Sequence, residues 1–250
     1  LRDERLFSFC QAPAAFYVTH LQESVKEGNF SKILYMSTPF MLVTLFCSLS
    51  ITACSQTPAT NKPDIKVGGS CEGCEAVYEC PVPFDQLNEV DTLPDFNDPG
   101  PKMEISGIVY KADGKTAAAG VIIYIYHTDQ AGVYPRKGTE KGWARRHGYL
   151  RGWVKTDAKG FYKFYSLLPA SYPNSNNPKH IHPVIKEPGM SEYYIDEFLF
   201  DNDPLLTREE RARQEQRGGN GILVIKEKNG RLYAERNIIL GKNIPGYPAN

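Results

Sequence analysis

The sequence predicts an all-β protein: an antiparallel β-sandwich with long functional loops and one short surface helix. Three observations carry that prediction. From Met103 onward, short runs rich in β-branched and aromatic residues recur with turn signals between them. Residues 121–126 read Val-Ile-Ile-Tyr-Ile-Tyr, an apolar run of strand length that implies burial on both faces. Asn229-Gly230 separates two further apolar runs, 222–227 and 232–240, and is a strong hairpin signal.

The elements follow in order. Residues 104–110 form a strand ended by the Ala112-Asp113-Gly114-Lys115 turn. Residues 150–156 and 161–166 flank the turn Asp157-Ala158-Lys159-Gly160. His180-Ile181-His182 begins a strand that Val184 and Ile185 support, and residues 193–200 are again strand-like. Only residues 208–217 read as a helix, with Thr207 as N-cap, Glu210 at the capping-box position and Gly218-Gly219 as the stop. That helix is charged nearly all round, and Glu209, Glu210 and Glu215 offset its arginines, so it reads as a solvated surface helix. The irregular stretches 128–149 and 169–179 are long for a compact sandwich, and loops of that length usually carry function.

Charge narrows the partners. The 250 residues contain 29 Lys+Arg and 29 Asp+Glu, so no basic field argues for nucleic acid. Residues 1–35 show scattered charge and no clean period; either the true start lies among them, upstream of Met36, or they are upstream sequence outside the protein. Residues 39–54 then carry no charge at all. This run is shorter than the roughly 20 residues a membrane-spanning helix needs and has the length of a signal-peptide apolar region. It ends in Ile51, Thr52, Ala53 and Cys54, which resembles the lipobox of bacterial lipoproteins. The resemblance implies acylation of Cys54, export and lipid anchoring to the cell envelope, with Ser55 favouring the outer membrane. A start at Met36 departs from the pattern, because no Lys or Arg would precede the apolar run. The expected organisation is therefore a leader over 1–53, a lipid-anchor tether and Cys-containing extended arm over 54–102, and a β-sandwich domain over 103–250. Cys10 and Cys47 would leave with the leader. Of Cys71, Cys74 and Cys80, an oxidising compartment favours one disulfide and one leftover thiol, with the pairing open; no second Cys or His pair follows at zinc-ribbon spacing.

The chemistry concentrates in the two long loops and the strand after them. On a strand, His180 and His182 point to one face and can chelate one metal ion. Tyr172 stands in the turn just before them, and Tyr134 lies in the first loop as Gly132-Val133-Tyr134-Pro135-Arg136. Phenolate is a hard anionic donor suited to Fe(III), whereas zinc usually takes thiolate, imidazole or carboxylate. Each piece alone is equally an ordinary strand histidine or turn aromatic. His127 and His147 read as non-ligands, exposed or hydrogen-bonded, and Trp143 and Trp153 as packing residues.

Taken in order, the pieces are Gly132-x-Tyr134, Arg151-Gly152, Thr156-Asp157-x-x-Gly160-x-Tyr162-x-Phe164, Pro169-x-x-Tyr172-Pro173, His180-Ile181-His182 and Phe200-x-x-Asp203-Pro204. This series resembles the intradiol ring-cleavage dioxygenases, the family of protocatechuate 3,4-dioxygenase and catechol 1,2-dioxygenase, closely over 104–206 and more loosely to 239. The resemblance implies mononuclear non-haem Fe(III) held by Tyr134, Tyr172, His180 and His182, with Tyr172 yielding to the substrate and taking its proton. It also implies a catechol-like substrate, O2 as co-substrate, ring opening between the hydroxyls, and the self-association common in the family. Backbone carbonyls or carboxylates are expected on the far imidazole nitrogens.

Two positions depart from the family pattern. Asn177 stands where the family has an arginine three residues before the first histidine, and Glu197 where it has a glutamine. A carboxylate there would repel an anionic substrate. Lys179, Arg136, Arg145, Arg146 and Arg151 are the candidates to supply the missing positive charge. The competing expectation is a non-catalytic, transthyretin-like β-sandwich module that binds a metal or ligand on the cell envelope.

Overall fold

The computed structural model describes residues 63–249. The leader and Cys54 lie outside the described residues. In chain order the elements are β1 (Val90–Thr92), β2 (Lys102–Tyr110), β3 (Ile122–His127), α1 (Ala144–His147), β4 (Arg151–Lys155), β5 (Phe161–Leu167), β6 (His180–Lys186), β7 (Tyr193–Tyr194), β8 (Phe198–Phe200), α2 (Arg208–Ala212), β9 (Ile222–Leu223), β10 (Lys226–Lys228), β11 (Arg231–Glu235) and β12 (Ile238–Ile239). Two 3-10 turns, Cys74–Glu79 and Phe84–Gln86, precede β1.

The strands form two six-stranded sheets. One runs β1-β5-β2-β11-β10, with β12 also on β2; the other runs β4-β3-β6-β8-β9, with β7 on β6. The long central pairings β2·β5, β3·β4 and β3·β6 are antiparallel. The short pairings of β1 with β5, of β11 and β12 with β2, and of β9 with β8 are parallel. The architecture is thus an all-β sandwich whose centre is antiparallel and whose added short strands make both sheets mixed.

Alternation places the core. Ile105, Ile123, Ile125, Val154, Phe164, Ile181, Ile185 and Phe198 meet between the sheets. The other face of β3, β4 and β6 carries Ile122, Tyr124, Trp153 and Val184, and this second apolar patch is covered by Cys74, Ala76 and Val77 of the first 3-10 turn. That cover explains why β3 is buried on both sides, as its unbroken apolar run predicts. Trp153 Nε1 donates to Val77 O at 2.9 Å, and Glu79 accepts the Trp143 N–H at 2.6 Å and an Arg151 N–H at 2.7 Å. Cys71 and Cys74 form the disulfide, and Cys80 is the free thiol.

Several boundaries differ from the sequence expectation. The run 193–200 is broken into β7 and β8, because Asp196 between them turns away to accept the N–H groups of Gln216 and Arg217. The run 222–227 divides between the sheets: β9 joins β8, while β10 forms the Asn229-Gly230 hairpin with β11. The helix expected over 208–217 is only Arg208–Ala212. Its Thr207 cap does accept the Glu210 N–H, at 3.2 Å. A second short helix, α1, interrupts the first long loop.

Candidate metal centre

His180 and His182 leave β6 on the face that carries Val184 and Tyr124, the one turned away from the core between the sheets. The register that sets them there pairs Tyr126 with His182 and Tyr124 with Val184. The two tyrosines arrive from the long loops, and the loops are fastened to each other. Thr128 Oγ1 donates to Ala170 O at 2.6 Å, and Ala170 N to Asp129 O at 3.3 Å. Asp129 Oδ1 accepts the N–H groups of Ala131 and Val133, which folds the loop tightly just before Tyr134. Gly132 lies at the crossing, with φ 74° and the Ser171 carbonyl 2.0 Å from where a Cβ would stand. A glycine is therefore required for the two tyrosine loops to meet.

The four side chains converge. Tyr134 Oη donates to His182 Nε2 at 2.7 Å, and Tyr172 Oη donates to His180 Nε2 at 3.0 Å while lying 3.3 Å from His182 Nε2. The two phenol oxygens also touch each other. The far nitrogens are held from behind: His180 Nδ1 donates to Pro178 O at 2.7 Å, and His182 Nδ1 lies 3.0 Å from Glu197 Oε1. With both Nδ1 atoms committed as donors, both Nε2 lone pairs face the phenol oxygens. Four electron-rich atoms thus crowd one point with only two phenol protons among them, the setting a cation relieves.

Burial shapes the protonation of this set. It lowers the His180 pKa, helped by nearby His182, and so keeps the ring in the neutral form that ligates metal. Burial raises both phenols; the hydrogen bond between them raises Tyr134 further and draws Tyr172 back down, while the charge of Glu197 adds to the rise at Tyr172. For Glu197, burial alone would raise the carboxyl, but the hydrogen bond from His182 and the two imidazoles outweigh it and hold it below the usual value.

His180, His182 and Glu197 also bring ligand atoms within 4.8 Å of one another. Glu197, however, faces His182 Nδ1, the nitrogen opposite the phenols, so its geometry is that of an orienting partner rather than a fifth donor to the same point. The His182 ring is further fixed by stacking on Tyr126 (4.5 Å, 18°), which stacks in turn on His147 (3.7 Å, 2°). His147 is buried, with its Nδ1 hydrogen-bonded to Tyr124 Oη at 2.8 Å. His127 is buried on the inner face against Ser166 and the Thr128 carbonyl. Of the two alternatives the sequence left for these histidines, both are hydrogen-bonded and neither is exposed.

A cleft of about 320 Å³ opens on Tyr172, His180 and His182 and is bounded by Asn177, Pro178, Glu197, Leu199, Glu210 and Gln214. None of the basic residues expected to replace the missing arginine is part of this lining. Lys179 Nζ lies 3.5 Å from Asp203, Arg151 is bound to Glu79, and Arg146 is paired with Glu72. Arg136 and Arg145 are exposed and outside the lining. Glu210 and Gln214, read from sequence as part of a surface helix, do reach the cleft. Sequence reasoning also gave no role to Asp203 within its Asp-Pro element. It is buried, and it accepts the Lys179 N–H at 2.7 Å and the Leu205 N–H at 2.9 Å, pinning the backbone one residue before His180. An Asp followed by Pro is a turn-starting signal that would have singled it out.

Comparison with known proteins adds three findings. The family model described as Dioxygenase matches residues 81–217. Catechol 1,2-dioxygenase 1 of Acinetobacter lwoffii is 29% identical over 163 residues, which cover 55% of this chain and 50% of that protein. A second catechol 1,2-dioxygenase of the same organism is 27% identical over 130 residues, covering 46% of this chain and 45% of that protein. The chain spans about half the length of the curated relatives it matches. Among solved structures, the dioxygenase domain of a dioxygenase and carbohydrate-binding fusion from Streptomyces sp. SirexAA-E is similar, with TM-score 0.48 and 18% identity, covering 71% of this chain and 96% of that one.

Proposed function

This chain belongs to the dioxygenase family whose model spans residues 81–217, and from that premise we propose that it is a non-haem Fe(III) intradiol dioxygenase. Its reaction would add both atoms of O2 to a catechol-like diol and open the ring between the hydroxyls. The observation that carries this reading is the meeting of Tyr134 Oη, Tyr172 Oη and the Nε2 atoms of His180 and His182 at one point beside a cleft. Those four residues would hold the ion, the tyrosines as phenolates that offset its charge. Bound there, ferric iron supplies Lewis acidity towards the diol oxygens and a redox-capable centre for O2.

The chain's own residues do the rest. The Asp129 turn and the Gly132 crossing hold the two phenols together, while Pro178 O and Glu197 aim the imidazoles. Tyr172 lines the cleft, so its Oη is the group placed to receive a diol proton. At about 320 Å³ the cleft has room for a single ring, since a cavity of roughly 150 Å³ accommodates benzene.

The test is oxygen uptake by the iron-loaded protein over a panel of catechols, with Tyr172→Phe alongside. The expected result is a visibly coloured protein, from phenolate-to-Fe(III) charge transfer, that takes up one O2 per diol, with a large loss of rate in Tyr172→Phe. A colourless protein after iron loading would sink the reading. Asn177 in the family's arginine position favours the second reading, a binding module that keeps the fold without the reaction. That alternative expects colour and diol binding with no oxygen uptake.

A further inference from the structure

We propose that Glu197 and Glu210 make the cleft selective by charge, favouring diols whose ring substituent is neutral or carries an ammonium group over aromatic carboxylates. The inference rests on the dioxygenase reading above and adds the class of substrate. Two independent elements supply the carboxylates. Glu197 enters between β7 and β8, behind His182, and its side chain is 43% exposed, so its charge is felt within the cleft. Glu210 enters from α2, with Gln214 one turn further along the chain. Among the described residues, no lysine or arginine lines the cleft.

The neighbouring cations do not change that balance. Lys179, the nearest in sequence to the histidines, has its ammonium directed to buried Asp203. Arg213 pairs with Glu210, but its side chain is 71% exposed. An exposed pair of this kind is weakly held, so Arg213 offsets the Glu210 charge only in part. Asn177, at the cleft mouth, is neutral and exposed. A benzoate-type diol entering here would bring a negative charge towards Glu197 and towards Glu210, whose charge Arg213 offsets only in part, whereas an ammonium substituent would meet complementary charge.

The experiment compares three probes on the iron-loaded full chain: catechol, 3,4-dihydroxybenzoate and 3,4-dihydroxyphenethylamine. Binding is measured first by equilibrium dialysis under nitrogen, which needs no turnover, and oxygen uptake is measured second. The amine should bind at least about tenfold more tightly than the benzoate, with catechol as the neutral reference. Glu210→Lys should move the amine-to-benzoate ratio towards the benzoate by about tenfold, and Glu210→Gln, the gentler change, should move it the same way by less. Equal binding of all three probes, or an unmoved ratio in both Glu210 variants, overturns the charge selectivity and leaves the dioxygenase reading standing. No binding and no uptake with any probe overturns both.

Discussion

His182 is the most constrained residue of the candidate site. One nitrogen faces Glu197, the other faces two phenols, and its ring lies flat against Tyr126. The phenols opposite it set a measurable property of the metal-free chain. Burial raises both Tyr134 and Tyr172, so at neutral pH each phenol is protonated. To act as an anionic donor each must lose that proton, so protons compete with the metal at low pH and release it less as pH rises. Ferric uptake should therefore release up to one proton per phenol, and apparent affinity should climb with pH by up to about tenfold per unit for each proton released. Chelator competition between about pH 6 and pH 8 reads this slope, and Tyr172→Phe should make it shallower. A slope that is flat in the unmodified chain would mean that the phenols are not ligands.

Among the elements, the two long loops matter more for the site than any strand except β6. They meet at Gly132, where a Cβ would stand 2.0 Å from Ser171 O. Gly120 provides a matched control: it has the same φ of 74° with nothing within 4 Å of its Cβ position. Gly120→Ala should cost only the left-handed backbone penalty, about 1 to 2 kcal/mol, and keep the ferric colour. Gly132→Ala must in addition push the Tyr172 loop away, so it should lose the colour as well as stability. Equal colour in the two variants would show that the loop crossing does not position the tyrosines. The same scale explains why the surface helix α2 gave no sequence sign of its part in the cleft. Its charges cover every side, so no apolar stripe in the sequence marks the face that Glu210 turns to the cleft.

For the described residues as a whole, stability rests on the core between the sheets and on the second apolar patch under the Cys74–Glu79 turn. Phe164 is fully buried on β5 and packs in the first of these. Phe164→Ala should cost about 3 to 5 kcal/mol, a fall in melting temperature of roughly 6 to 20 °C for a protein of this size, read by thermal unfolding. A shift of only a degree or two would mean that the inter-sheet core is not the main source of stability. The second patch has a different consequence. By covering Ile122, Tyr124, Trp153 and Val184, the turn buries the same sheet face that carries the histidines, so the segment before β1 also walls the neighbourhood of the site.

Much of this was legible along the chain because it depends on local rules. Alternation, β-branched runs and the Asn229-Gly230 turn identify a sandwich without reference to distant residues. The i, i+2 spacing of His180 and His182 forces them onto one face of β6 for the same local reason. Motif order could nominate Tyr134 and Tyr172, because loop residues keep their identity wherever the loop goes. Partnership could not be read in this way. That Glu197 stands behind His182, that Asp203 pins Lys179, and that Arg151 and Lys179 are spent on Glu79 and Asp203 rather than on the cleft all follow from side chains separated by many residues meeting in space. Charge in a one-dimensional sequence is only a sum. Whether a given lysine or carboxylate acts on the cleft depends on distance and screening, and those exist only once the two sheets have packed and the loops have closed over their edge.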